Sequence, residues 1–153
     1  MTTITADTLG DKGLYYLRDV LATNITTATF FDTLPENYNI SSPHVIMELV
    51  SCPSMNINLD SATTRSGKTQ IIIGLEIWTY GKDSVETRDG LASSIVSTLK
   101  DSSNVDSNGD SITSKYLKYK NSDMSNVPIT YLENYPKPFR VKTMTVTLSY
   151  RGA

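Results

Sequence analysis

The sequence predicts an α+β fold: a small, mostly antiparallel β-sheet with a long β-hairpin arm, flanked by two helices. Three observations predict it. Apolar residues recur at helical spacing in two separate segments, one near the N-terminus and one near residue 90. Other segments alternate apolar and polar residues, as half-buried strands do. The length of 153 residues and the 39% apolar content fit a single domain spanning 1–153 that buries its own core.

Both helices are predicted from stripes of apolar side chains. The stripe of the first follows Thr8 as its cap and consists of Leu14, Leu17, Leu21 and Ile25. The second helix begins at a capping-box pattern, with Asp83 as N-cap and Glu86 three residues later. Its stripe consists of Val85, Leu91, Ala92, Ile95, Val96 and Leu99. Both stripes are expected to pack on the sheet.

Alternating patterns predict the strands, which cover residues 44–52, 70–80, 115–120 and 140–152. The first two are expected to form one antiparallel hairpin whose polar arm has its tip at Arg65–Lys68. The third is predicted to be an edge strand, whose lysines disfavour pairing with another chain. In the last strand the apolar phase changes after Val141, which predicts a bulge near Lys142 and Thr143.

Residues 101–115 are nearly free of apolar side chains and are predicted to form a polar, mobile linker. Four residues match early positions of an EF-hand calcium loop: Asn104, Asp106, Asn108 and Gly109. The last position of that loop requires a bidentate Glu, but Lys115 stands there. Calcium is therefore not expected.

The residue inventory argues against catalysis, a metal and a cofactor. The chain has a single cysteine, Cys52, and a single histidine, His44, so an intrachain disulfide and the common zinc sites are excluded. The same scarcity argues against a Ser-His-Asp or Cys-His set. The N-terminus lacks a signal-peptide pattern, and no apolar run is long enough to cross a bilayer, so we expect no export signal and no membrane contact.

The stretch "SGKT" at 66–69 matches the end of a phosphate-binding loop. The first glycine of that motif is replaced by Ala62, and the β-branched run 71–73 follows at once, where a phosphate-binding loop would open a helix. The stretch is therefore predicted to belong to a hairpin. A small nucleotide-binding hydrolase stays as a distant alternative.

Charge is distributed unevenly along the chain. Residues 1–110 carry 7 basic and 14 acidic side chains, whereas residues 111–153 carry 7 basic and 2 acidic ones. A basic C-terminal third can lie near nucleic acid or against an acidic protein, and charge matching between copies of one subunit explains it equally well. No signature of a DNA-binding module accompanies it.

Three stretches together resemble tail terminator and head-to-tail joining proteins of long-tailed bacteriophages: "PHVIMEL", "IIIGLEIWTYGKDSVETRDGLASSIVSTL" and the terminal "VTLSYRG". In that family a hydrophobic strand ending in an aromatic pair runs through a short turn into an amphipathic helix. Trp78 and Tyr80 fill the aromatic places here. The resemblance covers roughly residues 8–100 and 139–152 and contains no catalytic signature.

The resemblance implies a structural virion protein assembled in the host cytoplasm. It would form a homo-hexameric ring at the head–tail junction, terminating the tail tube and joining it to the head connector. The implied partners are further copies of the chain, the tail tube protein, a head completion or connector protein, and DNA that passes through the lumen without sequence-specific binding. Head completion (a stopper) or a tail tube role are the alternatives. The candidate interface or lumen residues are Arg65, Ser66, Gly67, Lys68, Tyr150 and Arg151.

Overall fold

The computed structural model describes residues 3–5, 7–31, 43–60 and 63–151, with the backbone alone for 54–60 and 63–68. Its helices are α1 (Leu9–Asn24) and α2 (Ser84–Lys100), and a 3-10 turn spans Thr113–Lys115. Its strands are β1 (Thr29–Phe31), β2 (His44–Ser51), β3 (Ser54–Asp60), β4 (Thr63–Lys68), β5 (Gln70–Tyr80), β6 (Leu117–Asn126) and β7 (Phe139–Tyr150). The α+β class is confirmed.

Five strands form the main sheet in the order β1-β2-β5-β7-β6. Only the β1–β2 pair is parallel among these neighbours. The most apolar strand, β5, lies at the centre and pairs with β7 without interruption from Gln70 opposite Ser149 to Tyr80 opposite Phe139. The predicted edge strand is β6, which is longer than its sequence pattern indicated.

Both helices pack on one face of the sheet and bury the main core there. From β5 this core takes Ile71, Ile73, Leu75 and Ile77. Helix α1 lies so close to the sheet that a Cβ at Gly13 would come within 3.0 Å of the Ile71 side chain. Glycine at this position therefore permits a close helix–sheet approach.

The opposite face carries a smaller core at one end of the sheet. Phe139 and Val141 are buried there, packed by Trp78, Tyr80 and Tyr135. The bulge predicted near Lys142 and Thr143 is absent from β7, whose register with β5 is continuous. The apolar phase changes because the apolar side chains at the start of β7, Phe139 and Val141, face this second core. The apolar side chains from Met144 onward face the first core. The irregularity lies in β6 instead, between Tyr119 and Asn121.

The helix starts differ from the capping expectations. Asp83 precedes α2 in the left-handed region, at φ 62°, and its side chain makes no capping hydrogen bond, although its carbonyl accepts the Thr87 N–H at 2.9 Å. Thr8 likewise makes no side-chain cap; its hydroxyl accepts the Thr5 N–H at 2.9 Å. Val85, assigned to the apolar stripe of α2, is 43% exposed. Ser84 and Arg88 are buried instead.

Residues 101–115, predicted to form a mobile linker, make hydrogen bonds to α1. The Tyr16 hydroxyl donates to the Asp110 carbonyl at 2.7 Å, and the Asn24 amide donates to the Val105 carbonyl at 3.0 Å. The carboxylate of Asp106 accepts the N–H groups of Asn108 and Asp110. Polar side chains thus serve the local backbone, which explains how a segment with few apolar residues holds a defined path.

Candidate interaction surfaces

The β3–β4 arm is the most distinctive element of the surface. It connects β2 to β5 but pairs in a separate two-stranded antiparallel sheet. Its ladder runs from Ser54 opposite Lys68 at the base to Asp60 opposite Thr63 at the far end. At the rise of a strand, the arm is about 20 Å long.

The predicted tip residues lie within the arm and not at its end. Arg65 is opposite Ile57, and Lys68 stands at the base of β4, opposite Ser54. Ser66 and Gly67 lie between them in the same strand. The ladder of the arm ends at the pair of Asp60 and Thr63, and the side chains of the four predicted residues lie outside the described residues. The ladder continues past Arg65 through Thr64 and Thr63, because β-branched residues favour strands.

The base of the arm is joined to the end of β7. The N–H of Thr69, which separates β4 from β5, donates to the Pro53 carbonyl at 3.4 Å. The Thr69 carbonyl accepts the N–H of Tyr150 at 2.7 Å. The base of the arm at Lys68 therefore lies close to Tyr150 and Arg151, although more than 80 residues separate them in the sequence.

Tyr150 is a core residue, which corrects its assignment to an interface. Its side chain is 3% exposed, and its hydroxyl donates to the Ile4 carbonyl at 3.1 Å. Burial, and secondarily the nearby Tyr116, raise the pKa of this hydroxyl above its ordinary value. The alternation of β7 continues through its last residue and turns Tyr150 to the helix-covered face.

Arg151, by contrast, is exposed and lines an open cleft of about 480 Å³. We call this the basic cleft. Its principal lining residues come from the end of α2, the edge strand β6 and the end of β7, and are Lys100, Tyr116, Lys118, Tyr119, Ser149 and Arg151. Of these, sequence reasoning identified only Arg151 as a candidate. The alternation in "KYLKYK" marked Lys118 as exposed, but nothing local indicated that the end of α2 would meet it.

A second surface is the sheet face that the helices leave uncovered, described here by Ile46, Glu48, Val50, Glu76 and Thr145. These residues line a shallow hollow of about 200 Å³ across β2, β5 and β7. Val50 is 52% exposed, and a Cβ at Gly74 would lie 2.9 Å from its side chain. The face combines apolar side chains with two carboxylates. Sequence reasoning missed it because strand order alone brings these residues together.

The arrangement around "SGKT" differs from a phosphate-binding loop. Lys68 ends β4, Thr69 follows, and β5 begins at Gln70, so a strand stands where such a loop places its helix.

His44 is 3% exposed, with its ring centroid 5.0 Å from that of Phe31. Within the described residues, no three His, Cys, Asp or Glu side chains are grouped to hold a metal ion. No helix among them is long and apolar enough to cross a membrane.

Sequence comparison identifies no relative: neither a known family model nor a curated protein matches this chain. The resemblance to phage joining proteins therefore depends on the order and apolar pattern of the elements. In the fold, β5 runs through the turn 81–83 into α2, with Gly81 at φ 83°. Such positive φ values are easy for glycine, which lets the chain reverse within three residues.

Proposed function

We propose that this protein is a structural virion protein that forms a ring at the head–tail junction of a long-tailed phage. In this role it terminates the tail tube and joins it to the head connector without catalysis. The observation that carries the proposal is the β3–β4 arm, which forms a sheet of its own. A two-stranded hairpin is marginally stable in water, so such an arm gains stability when it lies against a neighbouring subunit.

The arm also has the hydrogen-bonding capacity that an assembly element needs. Each strand of a two-stranded sheet has one unpaired side, whose backbone N–H and C=O groups can pair with another chain. An arm on one subunit and a receiving surface on the next make a head-to-tail contact, which closes into a ring when the rotation between subunits allows it. The uncovered sheet face, with exposed Val50 and half-buried Ile46, is a surface of suitable composition to receive a neighbour.

In the proposed assembly the ring is a homo-hexamer. One of its surfaces contacts the tail tube protein, the opposite one contacts the head completion or connector protein, and DNA passes through the lumen. The protein then resides at the head–tail junction of the virion. These assignments follow the resemblance, and the arm supplies the structural element that they require.

Electron microscopy of particles tests this role. The protein is tagged, expressed in the cells that produce it and located on the particles with a gold label. We expect label at the head–tail junction alone. Label along the whole tail would instead assign the protein to the tube, and particles that carry no label would contradict a virion role.

A strain without the protein separates the two junction roles. Loss of a terminator should give tails of irregular length, because nothing stops tube growth. Loss of a head-completion protein should leave tails of normal length beside heads that have lost their DNA. Normal, infectious particles from this strain would contradict both.

A further inference from the structure

The basic cleft concentrates positive charge on a protein whose overall charge is −2. Lys100, Lys118 and Arg151 line it, and among the described residues no carboxylate does. The nearest acidic neighbour in sequence, Asp101, accepts hydrogen bonds from the hydroxyl and the N–H of Ser103. Those bonds lower the pKa of the Asp101 carboxyl, which therefore stays ionised and is held by Ser103 outside the lining of the cleft. The cleft therefore presents three cations to a ligand.

The end of α2 opposes this charge only weakly. A helix C-terminus carries about half a negative charge, against three full positive charges in the cleft. Lys100, the last residue of α2, holds its ammonium group 5.5 Å from the centroid of the Tyr119 ring. This cation–π contact positions the charge over the edge strand instead of leaving it to move in solvent.

Hydroxyl groups complete the polar lining. Ser102, Thr113 and Ser149 contribute them from three different segments of the chain. The Thr113 hydroxyl donates to the Ser102 carbonyl at 3.1 Å and the Ser149 hydroxyl donates to the Lys118 carbonyl at 3.4 Å, so both of these protons are used within the chain. The Lys and Arg cations are therefore the groups of the cleft suited to bind phosphate oxygens.

Tyr116 adds an aromatic surface. Its side chain is 61% exposed, and its backbone lies in the left-handed region at φ 61°, an unfavourable conformation for a non-glycine residue. Its carbonyl accepts the N–H of Arg151 at 3.1 Å, which links the aromatic residue to one of the cations. An exposed tyrosine beside cations is the arrangement on which unpaired bases stack.

We propose that the basic cleft binds phosphate groups of a nucleotide ligand, with Lys100, Lys118 and Arg151 on the phosphates and the Tyr116 ring stacked on a base. An acidic protein surface would explain the cations, but it would not need the exposed Tyr116 ring. Two sources share this chemistry: a nucleic acid strand and a free mononucleotide. The inference does not depend on the proposed hexameric assembly, because every group of the cleft belongs to one copy of the chain.

Fluorescence anisotropy tests the site with the full chain and labelled 20-nucleotide single-stranded and duplex DNA. The cleft variant is Lys118→Ala/Arg151→Ala, and its matched control is Lys82→Ala/Lys137→Ala, with the same change of charge. The control residues lie at the far end of the sheet, since the Lys137 N–H donates to the Tyr80 hydroxyl, about 30 Å along β5 from Gln70.

We expect the cleft variant to bind single strands about tenfold more weakly, with a slope of log K against log salt about 1.4 units smaller, because two phosphate contacts are lost. The control should bind as the unchanged protein does. Equal weakening in both variants would mean that the loss of net charge alone explains the weaker binding, and it would overturn the proposal. So would the absence of any binding at low salt.

Tyr116→Gly removes the aromatic ring without threatening the fold, since glycine accepts the left-handed backbone. Stacking on one base should be lost, which predicts about fivefold weaker binding of single strands. Duplex DNA, whose bases are already stacked, should bind unchanged. Unchanged single-strand binding by this variant would overturn the role of the ring.

Competition distinguishes the two sources. Displacement of the labelled strand by millimolar dTMP, but not by inorganic phosphate, would assign the cleft to free nucleotides. Displacement by unlabelled strands alone would assign it to nucleic acid. If the cleft variant instead changed the oligomeric state while DNA binding stayed the same, the cleft would be a protein interface and the proposal would be wrong. Each result is independent of where the protein lies on a particle.

Discussion

Two ion pairs that share the Asp89 carboxylate link α2 to β7. Arg88 is buried and places its Nε 3.0 Å from Oδ1 of Asp89, and Nζ of Lys142 lies 2.9 Å from the same oxygen. Hydrogen bonds from Arg88 and then from Lys142 lower the pKa of the Asp89 carboxyl. The carboxylate therefore helps to balance a guanidinium that has been taken out of water.

Asp89→Asn should lower the free energy of unfolding by about 1 kcal/mol at neutral pH, a small value because the Asp89 side chain is 48% exposed. The folded-state pKa is depressed, so the stabilisation is present above the unfolded pKa and disappears as the pH falls through the folded one. Urea unfolding at about pH 7 and about pH 3 measures this difference.

Asp123→Asn is the control, because Asp123 is exposed on β6, away from any helix end, and should make little difference to stability. The ion-pair account predicts that the Asp89→Asn effect shrinks at the lower pH. An effect of equal size at both pH values would contradict it.

At the scale of elements, α2 shows how far an apolar stripe defines a buried face. Leu91, Ile95 and Leu99 are buried as their spacing predicts, but Val85 is not. The helix begins at Ser84, which is buried and whose carbonyl accepts a hydrogen bond from the Thr79 hydroxyl of β5 at 2.7 Å. The first turn therefore contacts the sheet through Ser84, whereas Val85 at the next position is exposed.

Ile95→Asp should unfold the domain, because it places a charge at a position with 0% exposure, at a cost of more than about 4 kcal/mol. Val85→Asp is the matched control: the same charge enters the exposed first turn, where it lies near the positive end of the helix dipole. Circular dichroism and thermal melting of both variants measure the result. A folded Ile95→Asp protein would show that α2 does not pack as described.

At the scale of the whole molecule, the sheet is asymmetric. Among the described residues, the helices cover one face, and the other face carries the small Phe139 cluster at one end. The arm extends from the same strands that form the uncovered face, since β2 leads into β3 and β4 leads into β5. One subunit therefore presents both an arm and a surface, as a head-to-tail assembly requires.

Arg65→Glu/Lys68→Glu should leave the monomer folded and block assembly, because it reverses two charges in β4, a strand outside the five-stranded sheet. Light scattering after size exclusion measures assembly, and complementation of a defective phage measures function. Lys12→Glu/Lys82→Glu, with the same charge change on exposed residues outside the arm, should assemble normally. Normal assembly and infectious particles from the arm variant would contradict the proposed role of the arm.

The elements whose pattern is periodic can be predicted from the sequence alone. The continuous apolar alternation of β5 identifies a central strand, and Leu91, Ile95 and Leu99 identify the buried face of α2. These predictions succeed because a strand repeats every two residues and a helix every 3.6, so burial leaves a regular pattern in the sequence. The α+β class follows from the number and order of such segments.

Which surfaces meet depends on the tertiary structure. The phase change in β7 has the same pattern as a bulge, but it reflects two cores on opposite faces of the sheet. The turn of the arm lies beyond Arg65, because hydrogen-bonded register and not charge sets where a hairpin reverses. Residues 101–115 are held by polar contacts to α1, which leave no periodic pattern. The basic cleft joins Lys100 to Arg151 for the same reason: contacts between distant segments depend on strand order, which local sequence does not encode.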